Sequence, residues 1–516
     1  MQVTLLSTSD VHGYVRADDF RRPAINDGFG LSRAATVIET IKHSATADNA
    51  VITIENGDFI QGSPLTNYIS RQVDGADALY GELADQVGYD VRVLGNHEFN
   101  YGRDYLTHLL ADDEKLINAN VIDDKTQAPF IGVPYKIIDR DGVKIGIIGL
   151  TTSYVPHWET AENIQGLTFL DPIQVAQQYI AELREQVDVL VLVYHGGFAE
   201  DLDTGHSLEA VTGENQGYQL LHLSGVDALI TGHQHRKIAQ VVNGVPTTQP
   251  GYRGSEVGEI VLTLDENKHV QDADAALIQT QAYPERDDIV ARVDPLQNAT
   301  NTWLDHAFGH VGNNMQINDH FAARRDNHPF IELVNRVQME AGQTSIANTA
   351  LFNDEVQGLP DAVTLRDIMT NYIYPNTLVV EKLSGADIKA ALEVNARYFM
   401  LDEQGEVGVN PRFLEPKVQH YNYDIWSGID YTLAIGKPFG QRVTDVQYQG
   451  QPLDMDAEYE VAMNNYRASG AGDFPMFATD KIVREVQQET ADLIGDYIIR
   501  HPEIQIDQPH NVTVKK

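Results

Sequence analysis

Seven residues with carboxylate, imidazole or amide side chains follow short hydrophobic segments of this chain, each near the point where a segment ends. Such segments are typical of buried strands, and in an open α/β sheet ligands bind at the carboxyl ends of the strands. One polar residue in this position is more often an ordinary hydrogen-bonded residue than a ligand, but seven of them are hard to explain by chance. The sequence therefore predicts a ligand set composed of Asp10, His12, Asp58, Asn96, His195, His233 and His235.

The chemistry of this set is that of a site for two divalent metal ions. Carboxylates, imidazoles and an amide, without sulfur, suit Mn²⁺, Zn²⁺, Fe²⁺ or Co²⁺ better than Ca²⁺. Two such ions, roughly 3.5–4 Å apart, can hold the attacking and leaving oxygens of a displacement and lower the pKa of a bound water. We predict Asp58 as the bridging ligand, because a carboxylate has two usable oxygens and Gly57 before it permits a sharp turn.

The spacing within two motifs predicts how they present their side chains. Asp10 and His12 are two positions apart, and in extended backbone such residues point the same way, which suits two ligands of one ion. His233 and His235 repeat this spacing. His97 follows another of the ligands without needing to be one itself. It could stabilise phosphoryl oxygens or protonate a leaving alkoxide.

The segments between the ligands alternate between strand and helix patterns, which predicts a layered α/β domain. Helical periodicity covers residues 31–43 and returns after Asp171 and Pro172, where Asp is expected as the N-cap and Pro in the first turn. Residues 245–265 are predicted as strands that close the domain. Residues 285–307 are predicted as a helix that packs on it.

The pattern changes in the second part of the chain, and we therefore predict a first domain over residues 1–325. A helix with apolar residues on one face is expected to link the domains over residues 326–342, with Gly342 as its C-cap. Residues 343–516 mix strand and helix patterns, which predicts a second, α+β domain.

The composition excludes several classes of protein. The chain has 37 Lys and Arg against 75 Asp and Glu, a net charge of −38, and such a surface repels polymeric nucleic acid and anionic lipid. Small phosphorylated substrates stay compatible with it, because metal charge acts locally. Cysteine is absent, which excludes disulfides and thiolate ligands. The sequence contains no apolar run of about eighteen residues, so we expect no membrane-spanning helix.

The sequence begins without the pattern of a signal peptide. We therefore expect a cytoplasmic protein if the sequence is complete. The alternative is an exported protein, periplasmic or extracellular, from which the signal peptide has been removed. The sequence leaves the oligomeric state open.

Five motifs together resemble the signature of the metallophosphoesterases, in the same order along the chain. They are Asp10-x-His12, Gly57-Asp58, Gly95-Asn96-His97-Glu98, His195-Gly-Gly and Gly232-His233-x-His235. The second half is similar to the C-terminal domain of the 5′-nucleotidase family, so the resemblance covers nearly the whole chain. It implies a four-layer αββα sandwich that holds the dinuclear centre, followed by an α+β domain that supplies nucleoside specificity.

Within that family, four segments are similar to the bifunctional 2′,3′-cyclic-nucleotide 2′-phosphodiesterase/3′-nucleotidases: residues 95–102, 374–378, 421–424 and 465–470. The resemblance implies His97 and its partner Asn100 as the catalytic residues. 5′-Nucleotidases usually carry Asp where this chain has Asn100, so the partner of His97 has no negative charge here. The resemblance implies hydrolysis of 2′,3′-cyclic nucleotides and 3′-nucleotides by metal-bound hydroxide. The alternatives are a 5′-nucleotidase or UDP-sugar hydrolase and, against the intact ligand set, a nucleotide-binding protein without catalysis.

The resemblance also implies a base-binding site made of two aromatic side chains, which tolerates any base because every base has a π-face. Tyr466 matches one of them, and Tyr421 or Tyr423 matches the other, with Tyr423 preferred; packing in the core is the alternative for these tyrosines. Asp473 lies where the family hydrogen-bonds the base or ribose. Many 5′-nucleotidases hold the phosphate with arginines in a stretch that here reads Asn348 to Asp354 and contains none, which disfavours a strict 5′-monophosphate enzyme.

Overall fold

The computed structural model of the 516-residue chain describes residues 1–21, 28–73, 75–110, 112–157, 159–208, 211–374, 376–415 and 418–516. The chain divides into two compact units, Met1–Trp303 and Leu304–Lys516. The boundary between the units thus falls earlier than the predicted end of the first domain at residue 325.

Two six-stranded sheets form the centre of the first unit in its described part. The strands of the first sheet, in order across it, are Val270–Gln279, Glu256–Leu264, Gln2–Thr8, Asn49–Glu55, Val91–Val93 and Leu116–Ile117. Those of the second sheet are Lys237–Val242, Val245–Pro250, Ala228–Ile230, Val189–His195, Val143–Thr151 and Tyr135–Arg140. The strands that precede the predicted ligands run parallel within each sheet, so their carboxyl ends lie at one edge of each sheet.

The two sheets pack face to face through aliphatic side chains. Leu5 and Ile52 of the first sheet belong to the same buried cluster as Ile147 and Val191 of the second. The central strands are buried on both faces, one against the other sheet and one against helices. This is why the sequence of each central strand is a nearly continuous hydrophobic run. The helices of this unit in the described residues are Leu31–Ser44, Pro64–Gln72, Ala78–Val87, Arg103–Leu110, Pro172–Leu183, Gly217–Leu221 and Asp287–Leu304.

Helices on the outer faces complete the predicted αββα arrangement. Leu31–Ser44 packs on the first sheet, and Pro172–Leu183 packs on the second. The carboxylate of Asp171 accepts hydrogen bonds from the N–H groups of Ile173 and Gln174, so the predicted N-cap is confirmed. The prediction of an α/β four-layer sandwich followed by an α+β domain is confirmed, although the sequence did not reveal the edge strand Val270–Gln279.

The second unit is built mainly on a five-stranded and a four-stranded sheet. Two strand pairs accompany them in the described residues, Ala307–His310 with Ala362–Thr364 and Phe399–Leu401 with Val407–Val409. The strands of the five-stranded sheet, in order, are Asp424–Ser427, Ile346–Ala350, Glu458–Asn464, Thr377–Ser384 and Ile482–Glu489. Those of the four-stranded sheet are Gln451–Pro452, Val443–Tyr448, Ile429–Ala434 and Val512–Lys515. The helices are His320–Asp326, Pro329–Gly342, Leu365–Asn371, Gly385–Asn395, Asn465–Ala468 and Thr490–Arg500.

The helix predicted as a linker, Pro329–Gly342, lies inside the second unit, where Phe330, Leu333 and Val334 join the main hydrophobic core. Its C-cap is Gln343, with φ of 52°, and not Gly342 as predicted. Gly342 is the last residue of the helix, and its lack of a side chain lets the helix approach the neighbouring strand closely. A Cβ there would lie 3.0 Å from the Val380 side chain.

Among the described residues, no helix combines the length and the apolar composition that crossing a membrane requires.

Candidate metal centre

The structure brings the predicted ligands together in two groups at the carboxyl edges of the first unit's sheets. One group contains Asp10, His12 and His235, and the other contains Asp58, His195 and His233. In each group the candidate ligand atoms lie within 4.8 Å of one another. The two residues of the motif His233-x-His235 thus divide between the groups, whereas Asp10 and His12 share one.

The two groups are in contact: the backbone N–H of His233, in one group, donates to the Asp10 carboxylate, in the other, at 3.1 Å. The Nε2 atom of His195 lies 3.1 Å from Oδ2 of Asp58 and 4.0 Å from Oδ1 of Asp10. The side-chain oxygen of Asn96 lies 3.1 Å from that same Nε2 and 2.8 Å from Nδ1 of His233. All seven predicted ligands therefore converge on one small region, with Asp58 and Asn96 beside His195.

The backbone achieves this convergence in a way that the sequence did not predict. Five of the seven residues have φ in the left-handed region: Asp10 at 54°, His12 at 52°, Asp58 at 57°, His233 at 71° and His235 at 56°. The prediction of extended backbone at Asp10 and His12 is therefore wrong. Non-glycine residues seldom adopt this conformation, and where they cluster the surrounding structure imposes the strain, most often at functional sites.

Hydrogen bonds on the far side of the imidazoles fix their orientation. His12 Nδ1 donates to the Gln61 carbonyl at 2.8 Å, and His195 Nδ1 donates to the Asn56 carbonyl at 2.6 Å. Both rings are thereby held with Nε2 towards the site, which is how proteins orient metal-binding histidines.

His233 is oriented by Glu214, which the sequence analysis missed. Nε2 of His233 lies 2.7 Å from a carboxylate oxygen of Glu214, which leaves Nδ1 facing the site. Glu214 follows no hydrophobic segment and belongs to no motif, so no local signal could have identified it.

Glu98 organises the loops that carry Asp58 and Asn96. Its carboxylate accepts hydrogen bonds from the backbone N–H groups of Asp58 and Phe59, each at 2.7 Å, and of Gly95 at 2.6 Å. Because Glu98 is buried, these donors replace the water that the carboxylate loses on folding. The last residue of the Gly95–Glu98 motif therefore holds two loops together.

The donor set fits divalent metal ions. Oδ2 of Asp58 is buried and accepts no hydrogen bond from the described residues. With its proton on Nδ1, a neutral His195 directs the lone pair of Nε2 at this oxygen, 3.1 Å away. Two electron-rich atoms this close repel each other unless a proton or a metal ion offsets the repulsion. Both ligand groups consist of His and Asp, and together they form a dinuclear divalent metal site.

In the metal-free protein, protons offset part of the repulsion between these ligand atoms. Burial by itself would lower the pKa of His195, but the Asp58 carboxylate outweighs it and the pKa is raised to about 10. Burial raises the pKa of the Asp10 carboxyl to about 6 and lowers the pKa of His12 to about 4. Metal ions must displace the proton of His195, so their binding strengthens as the pH rises.

His97 lies at the edge of both groups. Its ring centre is 5.3 Å from that of His12, and its backbone N–H donates to Oδ1 of Asp58 at 2.7 Å. Nδ1 of His97 lies 2.6 Å from the side-chain oxygen of Asn100. The structure thus brings together the two residues that were predicted to be catalytic, next to the ligands but in neither group.

Gly57 is expected to be intolerant of any side chain. It has φ of 83°, and a Cβ would lie 2.5 Å from the Gly95 nitrogen and 2.7 Å from Nδ1 of His195. We expect Gly57→Ala to lose activity and metal, and to lower the free energy of unfolding by about 1–3 kcal/mol beyond the backbone strain. Gly244→Ala is the matched control, with φ of 84° and open space around the new methyl group. Denaturant unfolding and phosphate release measure both, and equal effects of the two variants would contradict the packing argument.

In the second unit, the two candidate base-binding tyrosines before Asp424 differ in exposure. Tyr423 is 0% exposed, and its ring stacks on that of Tyr398 at 4.6 Å. It therefore offers no face to a base, and the preference for Tyr423 over Tyr421 is corrected in favour of Tyr421, which is half-buried. Tyr466 is 48% exposed.

A buried arginine connects Tyr421 and Tyr466 with the loop before Asp473. Arg467 forms an ion pair with Asp424 at 2.6 Å and donates to the Tyr421 carbonyl at 2.9 Å. It also donates to the Ala471 carbonyl. Asp473 follows in the left-handed conformation, with φ of 70°, and lies 3.0 Å from the guanidinium of Arg412.

The stretch Asn348 to Asp354, which lacks arginine, is contacted by an arginine from elsewhere. Arg324 donates to the Leu351 carbonyl and forms an ion pair with Asp354 at 2.7 Å. Its guanidinium is thus used inside the second unit, where it supports this stretch.

Comparison with known proteins identifies the family. A model for calcineurin-like phosphoesterases matches residues 3–237, and a model for the C-terminal domain of 5′-nucleotidases matches residues 309–479. A 2′,3′-cyclic-nucleotide 2′-phosphodiesterase/3′-nucleotidase of Salmonella typhimurium is 30% identical, over 91% of this chain and 82% of that protein. The chain belongs to the 5′-nucleotidase family of calcineurin-like phosphoesterases. The resemblance inferred from the motifs is confirmed, and this member of the family is a metal-dependent phosphoester hydrolase.

Two further relatives of this 5′-nucleotidase family member cover nearly its whole length. A protein of Haemophilus influenzae with the same name as the Salmonella relative is 29% identical, over 96% of this chain and 84% of its own. The crystal structure of a putative 5′-nucleotidase from Staphylococcus aureus is 36% identical, covers 100% of both chains and has a TM-score of 0.71. The relatives thus carry both of the names that the sequence analysis weighed.

Proposed function

We propose that this enzyme hydrolyses phosphate esters of nucleotides, above all 2′,3′-cyclic nucleotides and 3′-nucleotides. The observation that carries the chemistry is the convergence of two His/Asp groups around Asp58, with His97 beside them. The two ions are Mn, Zn, Fe or Co, as the mixture of imidazole and carboxylate ligands favours. When bound, they supply Lewis-acid activation of a water and of the phosphoryl oxygens.

The protein's own residues provide orientation and proton handling. Asp58 and Asn96 would help to hold an ion beside His195 and His233: Asp58 faces His195, and the side-chain oxygen of Asn96 faces both imidazoles. The His97 ring is held through Nδ1 by Asn100, so Nε2 is the atom available to the substrate. A protonated Nε2 donates a hydrogen bond to a phosphoryl oxygen or to the leaving oxygen of the ester.

The choice of substrate rests on the relatives and on Asn100. The Salmonella and Haemophilus relatives are named for 2′,3′-cyclic nucleotides and 3′-nucleotides, and Asn100 replaces the Asp that is usual in 5′-nucleotidases. The Staphylococcus relative, at 36% identity, is named as a putative 5′-nucleotidase and supports the alternative. We propose that Tyr421, Tyr466 and Asp473 of the second unit recognise the nucleoside.

The test is phosphate release and product identity with 2′,3′-cyclic AMP, 3′-AMP and 5′-AMP offered separately in the presence of Mn²⁺. Turnover of the first two with little of the third is the expected result. Dominant turnover of 5′-AMP would establish the alternative substrate class. Binding of all three without hydrolysis would overturn the proposal of a nucleotide-hydrolysing enzyme.

Tyr466→Ala is expected to raise KM for 3′-AMP roughly tenfold with little change in kcat, because stacking on a base contributes about 1–3 kcal/mol. Glycerol 2-phosphate, which has no base, should be hydrolysed equally well by the variant and the wild type. Phe439→Ala removes another exposed aromatic ring of the second unit and serves as the control. An unchanged KM for 3′-AMP in the Tyr466 variant would assign this tyrosine no role in base binding.

A further inference from the structure

A chain of side-chain hydrogen bonds leads from His97 to a carboxylate outside every motif. The side-chain oxygen of Asn100 faces Nδ1 of His97 at 2.6 Å. The amide nitrogen of Asn100 donates to Oε2 of Glu159 at 2.7 Å. Glu159 belongs to neither ligand group and follows His97 by a long stretch of chain, so only the folded structure relates them.

The carboxylate of Glu159 is held in place by two further donors. Its other oxygen accepts hydrogen bonds from the side-chain amide of Asn163 at 2.8 Å and from the backbone N–H of Thr160 at 2.7 Å. The Asn163 amide also donates to the Asn100 carbonyl at 3.0 Å. Asn163 thus ties the segment that carries Glu159 to the segment that carries Asn100.

The donors and acceptors in this series of hydrogen bonds allow only one arrangement of the protons. A carboxylate accepts hydrogen bonds and cannot donate them, so the NH₂ end of Asn100 must face Glu159. The oxygen of Asn100 must then face His97, whose Nδ1 must carry a proton in order to donate to it. Without Glu159, the Asn100 amide could turn over and donate to Nδ1 of His97, and the neutral imidazole would carry its proton on Nε2.

We propose that Glu159 is a positioning residue that fixes the amide of Asn100 and, through it, the tautomer of His97. In 5′-nucleotidases with Asp at the position of Asn100, a carboxylate would contact the histidine directly. Here the carboxylate is that of Glu159, and it acts on His97 through the Asn100 amide that lies between them. Nε2 of His97 is then the ring nitrogen left to face the substrate. The consequence for catalysis rests on the function proposed above, whereas the tautomer is a property of the protein alone.

Glu159→Gln tests the proposal, because a glutamine amide can donate to the Asn100 oxygen and release the constraint. Glu162→Gln, three positions away and exposed, is the control with the same change in charge. Long-range ¹H–¹⁵N correlations of metal-free protein labelled on histidine report which nitrogen of a neutral ring carries the proton. The signal of His97 is identified by its absence from a His97→Gln variant.

We expect a proton on Nδ1 of His97 in the wild type and in Glu162→Gln, and a shift towards the Nε2-protonated tautomer in Glu159→Gln. In the metal-loaded enzyme, kcat should fall about tenfold in Glu159→Gln with KM unchanged, as is typical when an orienting partner is lost. The double variant Glu159→Gln, Asn100→Asp places the carboxylate directly on Nδ1 and should restore the wild-type tautomer.

An unchanged His97 tautomer in Glu159→Gln would overturn the proposal whatever happens to kcat. So would failure of the double variant to restore the Nδ1 proton. If the wild type hydrolysed no nucleotide, the proposed function would fail, but the tautomer measurement would still decide the role of Glu159. Failure of the two proposals can therefore be told apart.

Discussion

Asp58→Asn should lower the rate of phosphate release by about a thousandfold or more, on the scale of the several kcal/mol of charge stabilisation that bound ions provide. Oδ1 of Asp58 accepts the backbone N–H of His97, and Oδ2 faces His195. An amide keeps only one of these acceptors and turns an NH₂ group towards the site. The substitution also removes the negative charge that opposes the repulsion between two cations, so at least one ion should be lost.

Metal content and activity are measured together on the Asp58 variant, with Asp139→Asn as the control. Asp139 lies exposed on an edge strand of the second sheet, and its substitution changes the net charge equally. The control should keep both metal and rate. A fully active Asp58→Asn enzyme would contradict the two-metal site, and full metal content with lost activity would show that Asp58 acts on the substrate rather than as a bridge.

The convergence of the candidate ligands could be predicted from the sequence because they follow hydrophobic strands. Asp10 comes two residues after Gln2–Thr8, and His195 ends Val189–His195. Parallel strands bring such ends to one edge of a sheet, so the order of elements along the chain already implies the proximity of their termini. The polarity pattern contains this information, and neither loop conformation nor side-chain contacts are needed to obtain it.

The partners of these residues could not be predicted in the same way. Glu214 meets His233 and Glu159 meets Asn100 across loops whose path is set by tertiary packing. The left-handed backbone at Asp10 and His12 likewise depends on contacts with another loop, since their N–H groups donate to the carbonyls of Gly57 and Asp58. No local pattern encodes such contacts.

The candidate base-binding tyrosines show a further limit of reasoning from motifs. Tyr421 and Tyr423 are two positions apart, and the motif alone does not reveal which ring is covered. The structure places Tyr423 against Tyr398 and Phe399 in the core, where its ring stabilises the second unit. Burial therefore rules out the preferred side chain, Tyr423, and base binding by this segment stays a prediction.

His97→Asn should lower kcat by about 10²–10⁴-fold, the usual contribution of a positioned acid or base. His97 belongs to neither ligand group, so this variant should keep its full metal content, in contrast to Asp58→Asn. Loss of metal together with activity would instead make His97 part of the metal site.

The two roles left open for His97 predict different dependence of that loss on the leaving group. If His97 protonates the leaving oxygen, a substrate that releases p-nitrophenolate needs little help, and the loss should be much smaller than with 3′-AMP. If His97 stabilises the phosphoryl oxygens, both substrates develop the same charge there, and the two losses should be equal. Its backbone N–H already anchors Oδ1 of Asp58 and is retained in the variant. The comparison therefore reports on the imidazole alone, and it shows whether the imidazole acts on the leaving oxygen or on the phosphoryl oxygens.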